Sequence, residues 1–452
     1  MSGISIDWER PFHSEGRIAE IGDGWLDLEF SEEFPYKIQG NHLVFTGESG
    51  EEYRFSNLLE FDPNRHETAF QARDNYGIEN RHEATEIQPG RVRLTALLSS
   101  APTLGNVLVF GSDHRKYPGI FISGSQHIEI EDVTLHHSGG MGIIAQLTTD
   151  VAVRHVQVTP PPGKGRLTSL TADATHFVGC RGKIEITDCL FENQMDDPVN
   201  IHGIYARIST RVSDRTLEIA LMHVEQQGID LFAPGDTAEL VTAETLTTYH
   251  AGIIESVRRL NKEVSVLTFA EDLPAQIKAG DVAVCRDANP DVTIRGCTSR
   301  GNRARGFLLS TSGQVLVENN TFHTPGAAIL IAGDANYWFE SGPVRDVSIK
   351  NNHFDNCNYG VWGRACIDIC PEIAPEYRPG TIYHRNIRVE NNTFDIFDPR
   401  LVAAQCVGGL TFTGNTIRPS TVYPAPDAGG EAFAVTDCAD VVIQPSFVIQ
   451  PI

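Results

Sequence analysis

The second half of the chain repeats one phrase: apolar residues at alternate positions, then Asn or Cys, then Thr or His, then an aromatic residue or Ile. Its clearest copies are VLVENNTF (315–322), VSIKNNHF (347–354), IRVENNTF (387–394) and LTFTGNTI (410–417). Looser copies precede them: IEIEDVTL (128–135), VAVRHVQV (151–158), IEITDCLF (184–191) and VTIRGCTS (292–299). Period-2 alternation over so few residues predicts short half-buried strands.

Anchoring each copy at Val133, Val156, Cys189, Cys297, Asn320, Asn352, Asn392 and Asn415 gives steps of 23, 33, 108, 23, 32, 40 and 23 residues. Short strands returning at about 23 residues, some rungs carrying loops, predict an all-β fold: a right-handed parallel β-helix. Each rung cannot bury its apolar face alone, so neighbours stack at about 4.8 Å and share one core. Asn anchors then form side-chain ladders, and Cys anchors serve as small buried apolar groups. The glycosylation sequons at Asn319-Asn320-Thr321 and Asn391-Asn392-Thr393 fall in this ladder phrase, which favours a structural role for them.

The 108-residue step carries extra chain. Residues 204–290 hold several alternating strands (RISTRVSDRTLEIALMHV, DTAELVTAETL, SVLTFAEDL) without Asn anchors, and read as a β-barrel inserted between two parts of the β-helix, 106–203 and 291–420. Residues 1–105 (DGWLDLEF, HLVFTGESGEEYRF, RVRLTAL) have the same texture and read as an N-terminal β-barrel. Residues 421–452 begin Pro/Gly-rich and read as a closing segment.

Composition narrows the partners. Thirty-six Lys and Arg stand against 59 Asp and Glu, a net charge of −23. That field disfavours nucleic acid and anionic membranes and is compatible with a neutral substrate such as a sugar. No apolar run is long enough to span a membrane. The opening MSGISIDWERPF lacks the basic and apolar regions of a signal peptide, so the chain as it stands reads as cytoplasmic. Its nine cysteines form no CxxC pair and read as reduced, buried thiols.

Candidate chemistry lies just ahead of the insertion, in ENQMDDPVNIHG (192–203). Asp196 and Asp197 are adjacent, and Asp173, in TADATHFVGC, precedes Asp196 by 23 residues, one rung, which predicts that Asp173 stands beside Asp196. Counting eight residues from Cys189 and from Cys297 pairs Asp197 with Arg305. Carboxyl groups so close cannot all ionise cheaply, so one should keep a proton near neutral pH. A protonated acid beside an ionised base is what glycosidic cleavage requires. In GDANYWFESGPV (333–344), Tyr337 and Trp338 can stack on a sugar face and Glu340 can contact hydroxyls or donate a proton. His136, His137, His176 and His202 fall near the same cleft, but nothing in their spacing defines a metal site. The candidate catalytic residues are Asp173, Asp196 and Asp197. The candidate substrate contacts are His176, His202, Arg305, Trp338 and Glu340, with neither metal nor cofactor.

Three stretches carry a resemblance beyond this arithmetic: PGIFISGSQHIEIEDVTLHHSGGMGIIAQ, VTPPPGKGRLTSLTADATHFVGCRGKIEITDCLFENQMDDPVNIHGIYARI and AAILIAGDANYWFESGPVRDVSIKNN. They resemble the α-1,3-galactosidases of glycoside hydrolase family 110. The resemblance implies a β-helix with β-barrel domains, metal-independent inverting hydrolysis of terminal α-1,3-galactose, and a carboxylate cluster on Asp173, Asp196 and Asp197. It suggests that Asp196 and Asp197 hold the water and that Asp173 or Glu340 is the acid. It also implies export and further N-terminal rungs, so the expectation for the N-terminus is either an incomplete chain or a blunt end. Side-by-side association of β-helices into a homo-oligomer is compatible with such a fold. The rival readings are another β-helix polysaccharide hydrolase or lyase, and a non-catalytic glycan-binding β-helix. Polygalacturonase-like GHG and suitably placed RxK motifs are absent.

Overall fold

The computed structural model describes residues 3–47, 50–96, 98–112, 115–426 and 429–447. Three parallel sheets run along a β-helix. One, the cleft sheet, stacks Ile120–Ser123, Ile143–Gln146, Thr175–Val178, the start of Val199–Ser213, Phe307–Ser310, Ile329–Gly333, Ile367–Pro371, Val402–Gln405 and Phe433–Thr436. The second sheet is nine-stranded, from Gln126–Glu131 to Ala439–Ile443, and the third is ten-stranded. Right-handed coils of this kind bury the inward alternate residues of every strand in one continuous core.

The repeated phrase now has a residue-by-residue explanation. Its apolar alternation lies in the second sheet, and the chain then turns into the third through one left-handed residue per rung. Those residues are Asp132 (φ 54°), His155 (52°), Asp188 (54°), Gly296 (68°), Asn319 (57°), Asn351 (56°), Asn391 (56°) and Gly414 (66°). Gly, Asn and Asp tolerate that region best, which accounts for most of the row. The following residue turns inward. Asn320, Asn352, Asn392 and Asn415 are buried. Each donates through Nδ2 to a carbonyl of the preceding rung, and the first three also donate to the Oδ1 of the next Asn, at 2.8–3.0 Å. The same Oδ1 atoms accept the backbone N–H one rung below. Within each sequon the middle Asn is therefore the ladder residue, whereas the acceptor positions Asn319 and Asn391 are exposed turn residues. Behind the ladder Phe322, Phe354 and Phe394 stack, with ring planes 8° and 12° apart.

The insertion leaves the β-helix without a break. Val199–Ser213 begins in the cleft sheet and continues as an antiparallel strand that pairs with both Thr216–Ala220 and Val282–Cys285. Val264–Phe269, Thr247–Arg259 and Thr237–Thr242 complete the circuit, closing a barrel that leaves no free edge. The N-terminal barrel is a seven-stranded antiparallel sheet with a small three-stranded sheet, over a core that includes Leu28, Phe45, Phe55 and Phe110. It is tied to the β-helix by Glu15, whose carboxylate accepts from the backbone N–H groups of Leu167 and Thr168 at 2.9–3.1 Å.

Two assignments shift. Ile4–Ile6, expected in the barrel, is a parallel strand on Val133–Leu135 at one edge of the third sheet. Residues 433–447 of the closing segment form a further rung, with Phe433–Thr436, Ala439–Ile443 and Ser446–Phe447 stacked on all three sheets. Residues 427–428 and 448–452 of that segment lie outside the described residues.

Candidate active site

A cleft of about 270 Å³ opens over the cleft sheet. Its floor follows from alternation: Thr175 and Phe177 are buried on the inner side, so His176 and Val178 face outward, and their register partners Asn200 and His202 do the same. The turns leading into these strands carry Asp173, Asp196, Asp197 and Arg305. The inserted barrel adds His223, Glu225 and Gln226 along one wall, and the segment from Asp334 to Glu340 forms another.

The stacking differs from the arithmetic by one residue. Thr175 pairs with Val199, a step of 24 on this face, so Asp173 aligns with Asp197 rather than with Asp196. Asp197 N donates to Asp173 Oδ1 at 3.2 Å. The next register, Val199 with Phe307, carries Arg305 beside Asp197 as the spacing predicts. Arg305 donates to that carboxylate through Nη2 (2.8 Å), Nε (3.2 Å) and its backbone N (3.0 Å). Asp196 is gripped by Arg115 Nη2 at 2.5 Å and Arg303 Nη1 at 3.1 Å. The three aspartates are buried, and each offers a carboxylate oxygen within 4.8 Å of the others. Burial pushes Asp197 up to about 7; Arg305 opposes this, and the neighbouring charges of Asp196 and Asp173 reinforce it.

A hydrogen-bond chain fixes the two histidines. His202 Nδ1 donates to Gly203 O at 2.7 Å, which leaves its Nε2 as the acceptor from His176 Nε2 at 2.9 Å. His176 then donates through Nδ1 to Asp173 Oδ2 at 2.5 Å. With both nitrogens donating, His176 is an imidazolium. Burial alone would lower its pKa, but the hydrogen bond and charge of Asp173 raise it. Asp173 is correspondingly held down: burial is outweighed by His176, Arg115 and Arg305. His202 is kept neutral by burial, which outweighs the charge of Glu340. Glu340 Oε1 sits 3.5 Å from His202 Nε2.

A second acidic group lines the opposite wall. Asp334 accepts from the backbone N–H groups of Asn336, Tyr337, Trp338 and Phe339 and so holds the loop in place. Glu340–Ser341 then pairs with Gly203 and Ile204. The register Gly333 with Pro371 brings Glu372 next to Asp334. Burial and the Asp334 and Glu340 carboxylates push Glu372 up to about 7.

All eight site residues read from the sequence border this cleft. Trp338 packs on His223 with ring centroids 4.9 Å apart and is 41% exposed, whereas Tyr337 is not among the lining residues. His136 and His137 lie elsewhere. His137 Nε2 accepts from Phe12 N at 2.9 Å beneath the N-terminal barrel, and His136 Nδ1 faces Thr159 O. Sequence reasoning missed Arg115, Arg303, Asn200, Glu225 and Glu372. The three aspartates converge closely enough for a cation. Their oxygens, however, are already engaged by three arginines and an imidazolium, which supply the neutralising charge a metal would bring.

A carboxylate-rich cleft on the outer face of a β-helix, walled by a barrel insertion, offers the neighbouring carboxyl groups that glycosidic cleavage uses. Comparison with known proteins makes the class specific. Residues 14–108 match the model for GLAA-B beta-barrel domain I, residues 216–283 that for GLAA-B beta-barrel domain II, and residues 284–444 a right handed beta helix region. Alpha-1,3-galactosidase A of Shewanella woodyi is 38% identical over 94% of this chain and 70% of its own length. Alpha-1,3-galactosidase B of Bacteroides thetaiotaomicron is 37% identical over 98% and 73%, and alpha-1,3-galactosidase A of Bacteroides fragilis 33% identical over the same shares. The chain belongs to the α-1,3-galactosidase family.

Proposed function

We propose that the chain hydrolyses terminal α-1,3-linked galactose from glycans, releasing galactose with inversion at the anomeric carbon. The names of the relatives support the linkage, and a compact cleft supports attack on a chain end rather than within a polymer. The division of labour rests on one observation, the tightness of the Asp173–Asp196–Asp197 cluster. An inverting pair stands about 6.5–9.5 Å apart to admit water, and three carboxyls within 4.8 Å are too close to serve as both members. In this reading Asp196 and Asp197 hold and deprotonate the water. Asp173, locked as the partner of the His176 imidazolium, orients the cluster rather than donating a proton. The proton for the leaving oxygen comes from the Glu340–Glu372 pair across the cleft, where Glu372 is pushed up to about 7 and so carries a proton near neutrality. Trp338 packs a sugar face, and His202 and Arg305 hold hydroxyls and the base.

The test is leaving-group dependence. Asp196→Asn and Asp197→Asn should each lose about 10²-fold or more of turnover on both an α-1,3-linked galactobiose and an aryl α-galactoside. Glu340→Gln and Glu372→Gln should spare the aryl substrate, whose phenolate needs little protonation. Near-wild-type turnover of folded Asp196→Asn and Asp197→Asn would make the cluster non-catalytic.

A further inference from the structure

The N-terminal barrel reaches the cleft through Asp74 and Tyr76. Asp74, on the loop between Glu67–Thr68 and Ile78–Asn80, accepts from Arg303 Nε at 2.8 Å and Arg303 Nη2 at 2.9 Å. It also accepts from Asn57 Nδ2 at 2.8 Å and from Trp362 Nε1, on a β-helix turn, at 2.9 Å. Arg303 Nη2 further donates to Tyr76 Oη at 2.7 Å. These bonds use one edge of the guanidinium and leave Nη1 to reach Asp196 Oδ1 at 3.1 Å. Both members are largely enclosed, with side-chain exposures of 10% for Asp74 and 13% for Arg303. A planar fork held bidentately on one side has little freedom on the other, so the position of Arg303 against Asp196 is dictated from the barrel.

We propose that Asp74 is a positioning residue of the reaction: it aims Arg303 at Asp196 and balances the positive charge around the aspartate cluster. The proposal rests on the reading of that cluster as catalytic. The charges facing Asp196 come from several elements: Arg115 ahead of the first rung, Arg303 and Arg305 on the turn after the insertion, and Asp173 and Asp197 beside it. Tyr76, from the barrel, faces it as well. The three arginines and the His176 imidazolium face Asp173, Asp196, Asp74 and, when it is ionised, Asp197, with Glu225 acting on Arg115 and Glu340 on His176. Without Asp74 the carboxylates of the cleft experience one uncompensated cation, which favours their ionised forms. Asp74 itself supports this balance: burial works against its charge, but the charge and hydrogen bonds of Arg303, with those of Asn57 and Trp362, hold it ionised.

The test compares pH profiles of Asp74→Asn, Asp74→Glu and the control Gln71→Ala. Gln71 ties the same barrel segment to the carbonyls of Tyr359 and Gly360 without touching Arg303. Asp74→Asn should move the acid limb of kcat/KM to lower pH by about half to one unit, and lower kcat about 10- to 100-fold with KM little changed. Asp74→Glu keeps the charge, so the limb should stay while the longer arm misplaces Arg303 and lowers kcat. Added to Arg303→Met, Asp74→Asn should lower kcat no further, because the positioning acts through that arginine. Gln71→Ala should leave both limb and kcat as they are. If Asp74→Asn does not fold, Asp74→Glu alone must show the selective loss of kcat. An acid limb unmoved in folded Asp74→Asn, or an additive loss of kcat with Arg303→Met, overturns the proposal. Carboxyl ¹³C titration of aspartate-labelled protein reads the same displacement without substrate. A displaced titration in a protein inactive on galactosides would retire the catalytic reading and keep the electrostatic coupling, whereas no displacement removes the coupling itself.

Discussion

Replacing Arg305 by Met tests the electrostatics of the cleft at its most direct contact. Arg305 Nη2 and Nε lie 2.8 and 3.2 Å from the Asp197 oxygens, and Met keeps the backbone N–H bond to Oδ1 and much of the apolar stem. What is lost is a unit positive charge about 4 Å from the carboxylate, worth about 4 kcal/mol at an effective dielectric near 20, or about three pH units. Arg115 and Arg303 remain, and water enters the space, so a displacement of about one to three units is expected. The sign follows from the native state: Arg305 opposes the upward push of burial, so its removal lifts Asp197 from about 7 to still higher pH. A base that must be ionised then loses activity at neutral pH, about 10- to 1000-fold, and regains it as the pH is raised. The assay is kcat/KM on an aryl α-galactoside, whose leaving group needs little protonation from Glu372, between pH 5 and about 10, with circular dichroism to confirm folding. An acid limb at its wild-type position, or displaced downward, refutes the assignment of Asp197 as the titrating base.

Three further outcomes follow from the same contacts. In the native enzyme kcat should fall as pH rises through about 7, where Glu372 loses its proton; Glu372→Gln should abolish that alkaline limb on the natural glycoside, as pH profiles of the two proteins will show. Asn352→Ala removes a side chain that donates to Val317 O and Asn392 Oδ1 and accepts from Asn320 N and Nδ2. With a buried N–H and a carbonyl left unpaired, the variant should lose about 2–5 kcal/mol in denaturant unfolding, if unfolding is cooperative across the stack. Where the N-terminal barrel meets the β-helix, Glu67 accepts from His323 Nε2 at 2.8 Å and from Tyr423 Oη at 2.6 Å. Burial opposes both charges, but the pairing raises His323 above 6.5 and lowers Glu67 below 4.5. The His323 contribution is therefore complete below 6.5 and lost as pH rises through its raised value, while that of Glu67 is complete above 4.5 and lost as pH falls through its lowered value. Glu67→Gln should cost most between those two values, about 3 kcal/mol, measured as unfolding midpoints against pH.

How far the chain could be read depended on whether a contact repeats. The Asn-Asn pair is written into three rungs because a left-handed turn and an inward ladder recur at each of them, so the β-helix was legible from four phrases. Asp173, Asp197 and Arg305 were legible for the same reason, being stacked neighbours at a countable distance. The pairing of Asp173 with Asp196 failed because the cleft strands step by 24 residues there, so an anchor in the third sheet does not transfer unchanged to the cleft face. Ile4–Ile6 was misassigned because three residues carry too little alternation to separate a rung from a barrel strand. Arg115, Arg303 and Asp74 left no periodic trace: their pairings cross 81 to 229 residues, and that of Asp74 joins a barrel to a turn. Glu372 meets Asp334 through a rung lengthened by a loop, and no fixed spacing announces it.

The most direct test of the central claim is proton NMR of the anomeric signals during hydrolysis of α-1,3-linked galactobiose by the purified chain. The account predicts that β-galactose appears first and that the α-anomer follows only by mutarotation. Initial release of α-galactose would mean retention and a covalent route that a water-holding Asp cluster does not provide. No galactose at all from folded protein would contradict the assignment of the substrate itself.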